Sequence, residues 1–404
     1  MTNRFWRGLF LFNRHAYTPL AGAKVACKMR RLIFHANLLL LIIANCLVGC
    51  KPIGPVKIGL IGTLMGRKAD SGLQARDGAL LAVEQCNRAG GVKGRPVELV
   101  IKNDQAKPQM ARKAYRELVS AQVVTIISQM NSATTVKIWP ELSRFKILML
   151  SLMVGAGTPF GRDDYFFTLY GSDQRRAKCL AAAATQRNLK RAALVYDTAN
   201  APASTEWVAN FKACFEQSGG RVVQLIPFVS GNAASLSKLA IRSLQAAPDL
   251  VLAITNTYDT AILFQKIRVL DPTVQLATTD WANTNGFLEY GGPAVDGVFL
   301  AEVFDEANCT RRYLKFKKDY GWRFGAEPTL AAKLGYETTQ ALLAVLSRTR
   351  AWDADSLKTT FLQQRTFPGL QGAFVIDGFG DAQRRCFLAT VENGKFRRAG
   401  DEAE

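Results

Sequence analysis

Short runs of apolar, β-branched residues alternate along this chain with longer stretches whose apolar positions recur every three to four residues. Val56-Lys57-Ile58-Gly59-Leu60-Ile61 reads as a strand, and 72–88 has helical periodicity that ends at the turn signal Gly90-Gly91. Pro96 to Ile101 predicts a strand, 108–120 a helix opened by Pro108, and Val123 to Ile127 a strand. A helix over 132–144 and a strand over Ile147 to Leu150 complete the set. The order βαβαβαβ, with unbroken apolar strands, predicts a parallel sheet covered on both faces by helices.

The pattern then restarts. A helix over 172–186 leads to a strand at Ala192 to Tyr196, a helix at 204–217 and a strand at Arg221 to Ile226. Next come a helix at 234–246, the strand Leu250 to Ile254, a helix at 259–268 and a strand near Gln275. After residue 305 two or three longer helices precede a β-like tail over 372–396. Two consecutive α/β sets of similar size imply two lobes with a cleft between them. In open α/β sheets ligands sit beyond the carboxyl ends of the strands, so the loops after those strands are the candidate site.

Ahead of this body lies a different pattern. Lys28-Met29-Arg30-Arg31 is followed by the apolar stretch Leu32 to Val48, and Lys51-Pro52 follows the break. Basic residues, then a short apolar run, then small residues mark an export signal. At 17 residues, with His35, Asn37 and Asn45 inside, the stretch is short for a membrane span, which needs about 20 apolar residues. Leu47-Val48-Gly49-Cys50 resembles the bacterial lipobox, which implies cleavage before Cys50 and acylation of its thiol. Residues 1–49 are thus expected to be a leader and lipoprotein signal peptide. The remainder is expected in the periplasm or at the cell surface, held to a membrane by lipid.

Composition excludes several chemistries. The two histidines, His15 and His35, both lie in or before the signal, so the mature chain has none. Ser-His-Asp and Cys-His nucleophile systems and every histidine-containing metal site are thereby removed. Cys86, Cys179, Cys214, Cys309 and Cys386 match no zinc spacing, and a Cys179–Cys214 bridge stays open for an oxidising compartment. Gly62-Thr63-Leu64-Met65-Gly66-Arg67-Lys68 lacks P-loop spacing. Of the formal +19, seven charges belong to the leader, and the rest are spread along the chain rather than gathered into a nucleic-acid stripe. No catalytic residue, metal or cofactor is expected.

Several segments, in order, resemble the leucine-binding protein family of type I periplasmic binding proteins. They include Gly72, Gly78, the run Asn87-Arg88-Ala89-Gly90-Gly91-Val92-Lys93-Gly94-Arg95, and Asp104. Tyr165-Phe166-Phe167-Thr168, Ser172-Asp173, Pro248-Asp249-Leu250-Val251, Gly372 and Asp377-Gly378-Phe379-Gly380-Asp381 continue the match. The resemblance runs from about 55 to 396 and implies two Rossmann-like lobes with parallel central sheets, joined by three hinge crossings. Lobe 1 would hold 54–170 and 305–368, lobe 2 171–304 and 369–400. The implied role is that of a solute-binding protein of an ABC importer, working with a permease and an ATPase. A ligand-sensing clamshell that signals to a membrane receptor is the alternative.

An amino-acid ligand needs donors for its carboxylate, an anion for its ammonium and a shaped pocket. Ser132, between a strand and a helix, matches the family's carboxylate-binding serine at a helix N-terminus. Asp280 falls where the family places an acid for the ammonium, and Asn256 is the second lobe-2 contact. The family's Ser-Pro-x-x-Thr is replaced by Ser151-Leu152-Met153-Val154-Gly155, which loses a hydroxyl at Gly155. Met65, Met130 and Met153 lie near the expected cleft and suit an apolar pocket. A branched-chain or other apolar amino acid, an amide, or another small molecule would fit such a site.

Overall fold

The computed structural model describes residues 54–399 except Arg67, 156–159 and Asn232, together with Met29 and His35. Cys50 and nearly all of the leader lie outside the described residues. Among the described residues no helix is long and apolar enough to cross a membrane.

The first sheet has five parallel strands in the order β2-β1-β3-β4-β5. They are β1 (Val56–Gly62), β2 (Val97–Asn103), β3 (Thr125–Ser128), β4 (Met149–Ser151) and β5 (Phe166–Thr168). Helices α1 (Ala69–Arg88), α2 (Pro108–Ser120) and α3 (Ser132–Phe145) connect the first four. The apolar runs read from sequence are buried on both faces, Ile58, Leu60, Ile126, Ile127 and Leu150 having no exposed surface, as parallel strands under helices require. β5 was not expected as a strand: its three residues pair with β4 and lead out of the lobe.

The second sheet holds seven strands, ordered β15-β14-β10-β9-β8-β6-β7. Strands β6 (Arg191–Asp197), β7 (Arg221–Phe228), β8 (Leu250–Ile254), β9 (Gln275–Thr279) and β10 (Phe299–Glu302) are parallel. β14 (Phe387–Glu392) and β15 (Lys395–Arg398) add antiparallel at one edge. The helices of this lobe are α4 (Asp173–Gln186), α5 (Ala201–Gln217), α6 (Ala233–Leu244), α7 (Thr257–Leu270) and the short α8 (Asn285–Gly291).

After β10 the chain returns to the first lobe as α9 (Arg311–Phe324), α10 (Leu330–Arg348) and α11 (Ala354–Gln364). α10 lies against α1 so closely that Gly78 is required: a Cβ there would collide with the Ala332 carbonyl and lie 2.9 Å from the Tyr336 nitrogen. A small antiparallel sheet follows, β11 (Thr366–Pro368), β12 (Ala373–Ile376) and β13 (Ala382–Gln383). Phe374, Ile376 and Ala382 pack into the first-lobe core with Phe167 and Phe361. The expected boundary at 368/369 therefore falls too early, because this sheet buries its apolar face in lobe 1.

Three segments thus cross between the sheets, after β5, after β10 and after β13. Buried polar pairs hold them. Asp381 accepts from Thr168 Oγ1 and from the Gly161 N–H, each at 2.7 Å, joining the first and third crossings. Glu337 on α10 binds Arg384 at 2.8 Å, and Lys333 pairs with Glu306 beyond β10.

Candidate functional site

A cavity of about 130 Å³ opens between the two sheets, and its lining comes from the carboxyl ends of parallel strands on both sides. This is the scale of an engineered cavity that encloses benzene. From the first lobe come Thr63 after β1, Lys68, Asp70 and Ser71 at the start of α1, Ala106 after β2, Gln129 and Asn131 after β3, and Met153 after β4. The second lobe supplies Asp197 and Asn200 after β6, Thr255 to Thr257 after β8, and Trp281 after β9.

Local hydrogen bonds fix these side chains. Thr63 donates its hydroxyl to Asp104 Oδ1 at 2.7 Å, and burial raises the Asp104 carboxyl above its ordinary value despite that bond and the Ala106 N–H. Asn131 caps α3, accepting from the Thr134 N–H at 2.8 Å. Asn256 caps α7 in the same manner and donates to Asp259 Oδ2 at 2.8 Å. Asp197 Oδ1 accepts from the N–H groups of Ala199 and Ser230.

Hydrogen bonds span the cleft, among them one from Asn285 Nδ2 to the Glu327 carbonyl at 3.2 Å. Lys68 Nζ donates to Ser230 Oγ at 3.2 Å, the Gly286 N–H donates to Asp70 Oδ2 at 2.9 Å, and the Ala133 N–H donates to Asn200 Oδ1 at 3.0 Å. The lobes are therefore drawn together at several points around the cavity.

Of the residues expected from sequence, Asn256 and Met153 line the cavity. Ser132, Gly155 and Asp280 do not, and all three are buried. Ser132 is the first residue of α3 and the cap is Asn131, one position earlier. Met130 lies in the first-lobe core and Met65 is 69% exposed, so of the three methionines Met153 alone faces the cavity. The Cys179–Cys214 bridge is absent; both thiols are free, and Cys179 and Cys386 are buried in the same second-lobe core.

Asp280 sits in a buried ion cluster that sequence reasoning missed. Arg176 on α4 places Nε 3.3 Å from Asp280 Oδ2 and pairs with Asp173, while its guanidinium carbon stacks 3.7 Å above the Tyr170 ring. All four residues are essentially without solvent exposure. Burial raises the Asp280 carboxyl to about 6, against the lowering effect of Arg176. Glu302, which accepts from Asn283 at 2.6 Å, is pushed well up by burial and then by Glu306. Gly155 makes the cluster fit: a Cβ there would lie 2.5 Å from Arg176 Nη2 and against Asp173 Oδ1.

Residues 55–395 match the model of a family described as periplasmic binding protein. A leucine-, isoleucine-, valine-, threonine- and alanine-binding protein of Pseudomonas aeruginosa is 38% identical over 80 residues, 20% of this chain and 21% of that protein. Leu/Ile/Val-binding protein homolog 3 of Brucella melitensis is 30% identical over 128 residues, 31% of this chain and 34% of its own. These alignments thus span only about a fifth to a third of the curated relatives. A leucine binding protein from Thermotoga maritima superposes with a TM-score of 0.78 at 24% identity, over 85% of this chain and 98% of that one. A branched-chain amino acid substrate binding protein from Streptococcus pneumoniae, in complex with isoleucine, gives 0.76 at 20% identity over 85% and 99%. A solute binding protein from R. palustris, in complex with benzoate, gives 0.75 at 20% identity over 86% and 96%. These structures share the two-lobed α/β fold, and with the family model matching residues 55–395, the chain belongs to the periplasmic binding protein family.

Proposed function

We propose that this chain is the extracytoplasmic solute-binding protein of an ABC importer, capturing one small ligand between its lobes for delivery to a permease and its ATPase. The observation that carries this reading is the cavity itself, built from strand ends of both lobes and bridged by Lys68–Ser230, Asp70–Gly286 and Ala133–Asn200. A ligand seated there touches both lobes and favours the closed state by its differential contacts. No bond chemistry is required. The names of the relatives support an apolar or branched-chain amino acid as the ligand, and Met153 with Trp281 supplies apolar wall for its side chain. Acylation at Cys50 would hold the protein at the membrane beside its permease.

The test is a thermal-shift screen of small polar metabolites, followed by uptake of the hit in cells lacking the gene. A ligand that binds only the native state raises the melting temperature through a term in ln(1 + [L]/Kd). Loss of uptake in the deletion strain supports import; undiminished uptake sinks it.

A further inference from the structure

Capture of a solute between the lobes leaves the outer face of α9 unused. Tyr313, Phe316 and Tyr320 turn inward to the first-lobe core. Arg311, Lys315, Lys318 and Trp322, at i, i+4, i+7 and i+11, form the opposite stripe, with Leu314 at its margin. Trp322 is 83% exposed and Leu314 50%, and among the described residues no other tryptophan is exposed.

The acids around this stripe are already engaged. Asp319, the one acid on α9, pairs with Lys315 and accepts from Gln85 Nε2 at 3.0 Å, while Glu84 on α1 pairs with Arg323 at 2.9 Å. Arg88, Arg311 and Lys318 have no such ion pair among the described residues. Arg88, Lys318 and Trp322 border one groove between α1 and α9. The surface is basic, open and tipped by an indole. That chemistry complements the margin of an anionic bilayer, where lysine and arginine meet lipid phosphates and an indole settles at headgroup level.

The entry of the chain lies at the same end of the first lobe. Asn87 exchanges hydrogen bonds of 2.9 and 2.7 Å with the Val97 backbone, and Val97 is the strand partner of Val56 at the start of β1. α9 runs antiparallel to α1: Arg323 meets Glu84, whereas Lys315 and Lys318 share the groove with Arg88. The first half of α9 therefore sits near the start of β1. Six residues, at most about 22 Å of extended chain, lead from Cys50 to Val56. Acylation at Cys50, as proposed above, would hold this end of the lobe within that reach of the lipid.

We propose that this face of α9 lies on an anionic membrane surface: Arg88, Arg311 and Lys318 hold lipid phosphates, and Trp322 and Leu314 enter the headgroup layer. The tether rests on the acylation reading; the charge and exposure of the face do not. Docking here fixes which way the anchored protein stands on its membrane.

Vesicle sedimentation tests this with the chain from residue 50 onward bearing Cys50→Ser, which lacks leader and acyl group but keeps all three sheets and every helix described above. It should sediment with vesicles of mixed phosphatidylglycerol and phosphatidylcholine and not with phosphatidylcholine alone. Salt at about 1 M, where the Debye length falls to about 3 Å, should release it. Each cation near an anionic surface is worth about fivefold in affinity, so Arg311→Glu with Lys318→Glu should weaken binding by about tenfold or more. Lys238→Glu with Lys266→Glu makes the same charge change at exposed positions of the second lobe and should weaken it by less than about threefold. Tryptophan emission should shift to the blue on binding in the parent chain and not in Trp322→Phe. Failure to sediment with anionic vesicles overturns the proposal and turns the face over to a protein partner. Equal sedimentation with both lipids, equal losses in the two double variants, or a blue shift that survives Trp322→Phe also overturns it. Lipid-precursor labelling of the full chain decides acylation separately, so either claim can fail alone.

Discussion

Asp70 at the start of α1 and Gly286 in α8 meet across the cleft, the carboxylate accepting the backbone N–H at 2.9 Å. Gln74 steadies the other oxygen of Asp70 at 2.7 Å. A hydrogen bond to a charged group contributes about 1.5–3 kcal/mol when buried, and less where solvent reaches it. Asp70→Ala should therefore loosen the closed state. X-ray scattering of the unliganded variant should give a larger radius of gyration than wild type, with ligand affinity reduced up to about tenfold. An unchanged scattering curve would show that the bond does not hold the lobes together.

Acid should stabilise this protein over a window where many proteins begin to weaken. Burial lifts the Asp280 carboxyl to about 6, so between about pH 4 and 6 the folded state binds a proton that the unfolded state has released. Stability falls as pH rises through that window and is recovered on acidification. The two-unit rise corresponds to roughly 3 kcal/mol at most. Glu302 is shifted in the same direction. Asp271 and Asp353 are lowered by hydrogen bonds from Thr273 and Ser356, so their stabilisation is lost only at lower pH. The melting temperature at about pH 5.5 should exceed that at about pH 7.5, and Asp280→Asn should flatten the slope. A wild-type optimum above pH 7 would contradict the burial of these acids.

Gly155→Thr would supply the hydroxyl that the resemblance to the leucine-binding protein family leads one to expect at this place, yet here it should damage the protein. The new side chain enters space held by Arg176 and Asp173. Overpacking of a filled interior costs about 1–3 kcal/mol. Urea unfolding of Gly155→Thr should show a lower midpoint with an unchanged slope. A fully stable variant would mean that the cluster rearranges freely.

The cysteines should divide by access. Cys309 is exposed, whereas Cys179 and Cys386 are 5% and 7% exposed in the second-lobe core. Under native conditions iodoacetamide should modify Cys309 first, with Cys179 and Cys386 reacting only after denaturation. Peptide mass mapping reads the order, and early labelling of Cys179 would contradict the packing of α4 on β14.

Much of this architecture was legible because buried parallel strands write themselves as unbroken apolar runs. β1, β6 and β8 stood out for that reason, and the loops after them do line the cavity. β5 was missed because three residues are too few to carry periodicity. Asn256 and Met153 could be placed because each follows a recognisable strand. Asn131 rather than Ser132 caps α3, since sequence spacing does not decide which of two adjacent polar residues caps a helix. Arg176 was invisible: an arginine on an amphipathic helix ordinarily faces water, and the acids that draw it inward lie on α4 itself and 104 residues further on. The one local sign was Gly155, a missing side chain whose purpose becomes plain only beside the guanidinium.

The second sheet ends on strands that other chains cannot easily extend. β7, at one edge, contains Pro227, which has no N–H to offer a neighbour. β15, at the other, presents Lys395, Arg397 and Arg398 along four residues, and cations on a sheet margin discourage strand-to-strand docking. Copies crowded together would repel at those margins rather than zip into a continuous ladder. The large sheet can therefore stay open-ended without becoming a template for fibres.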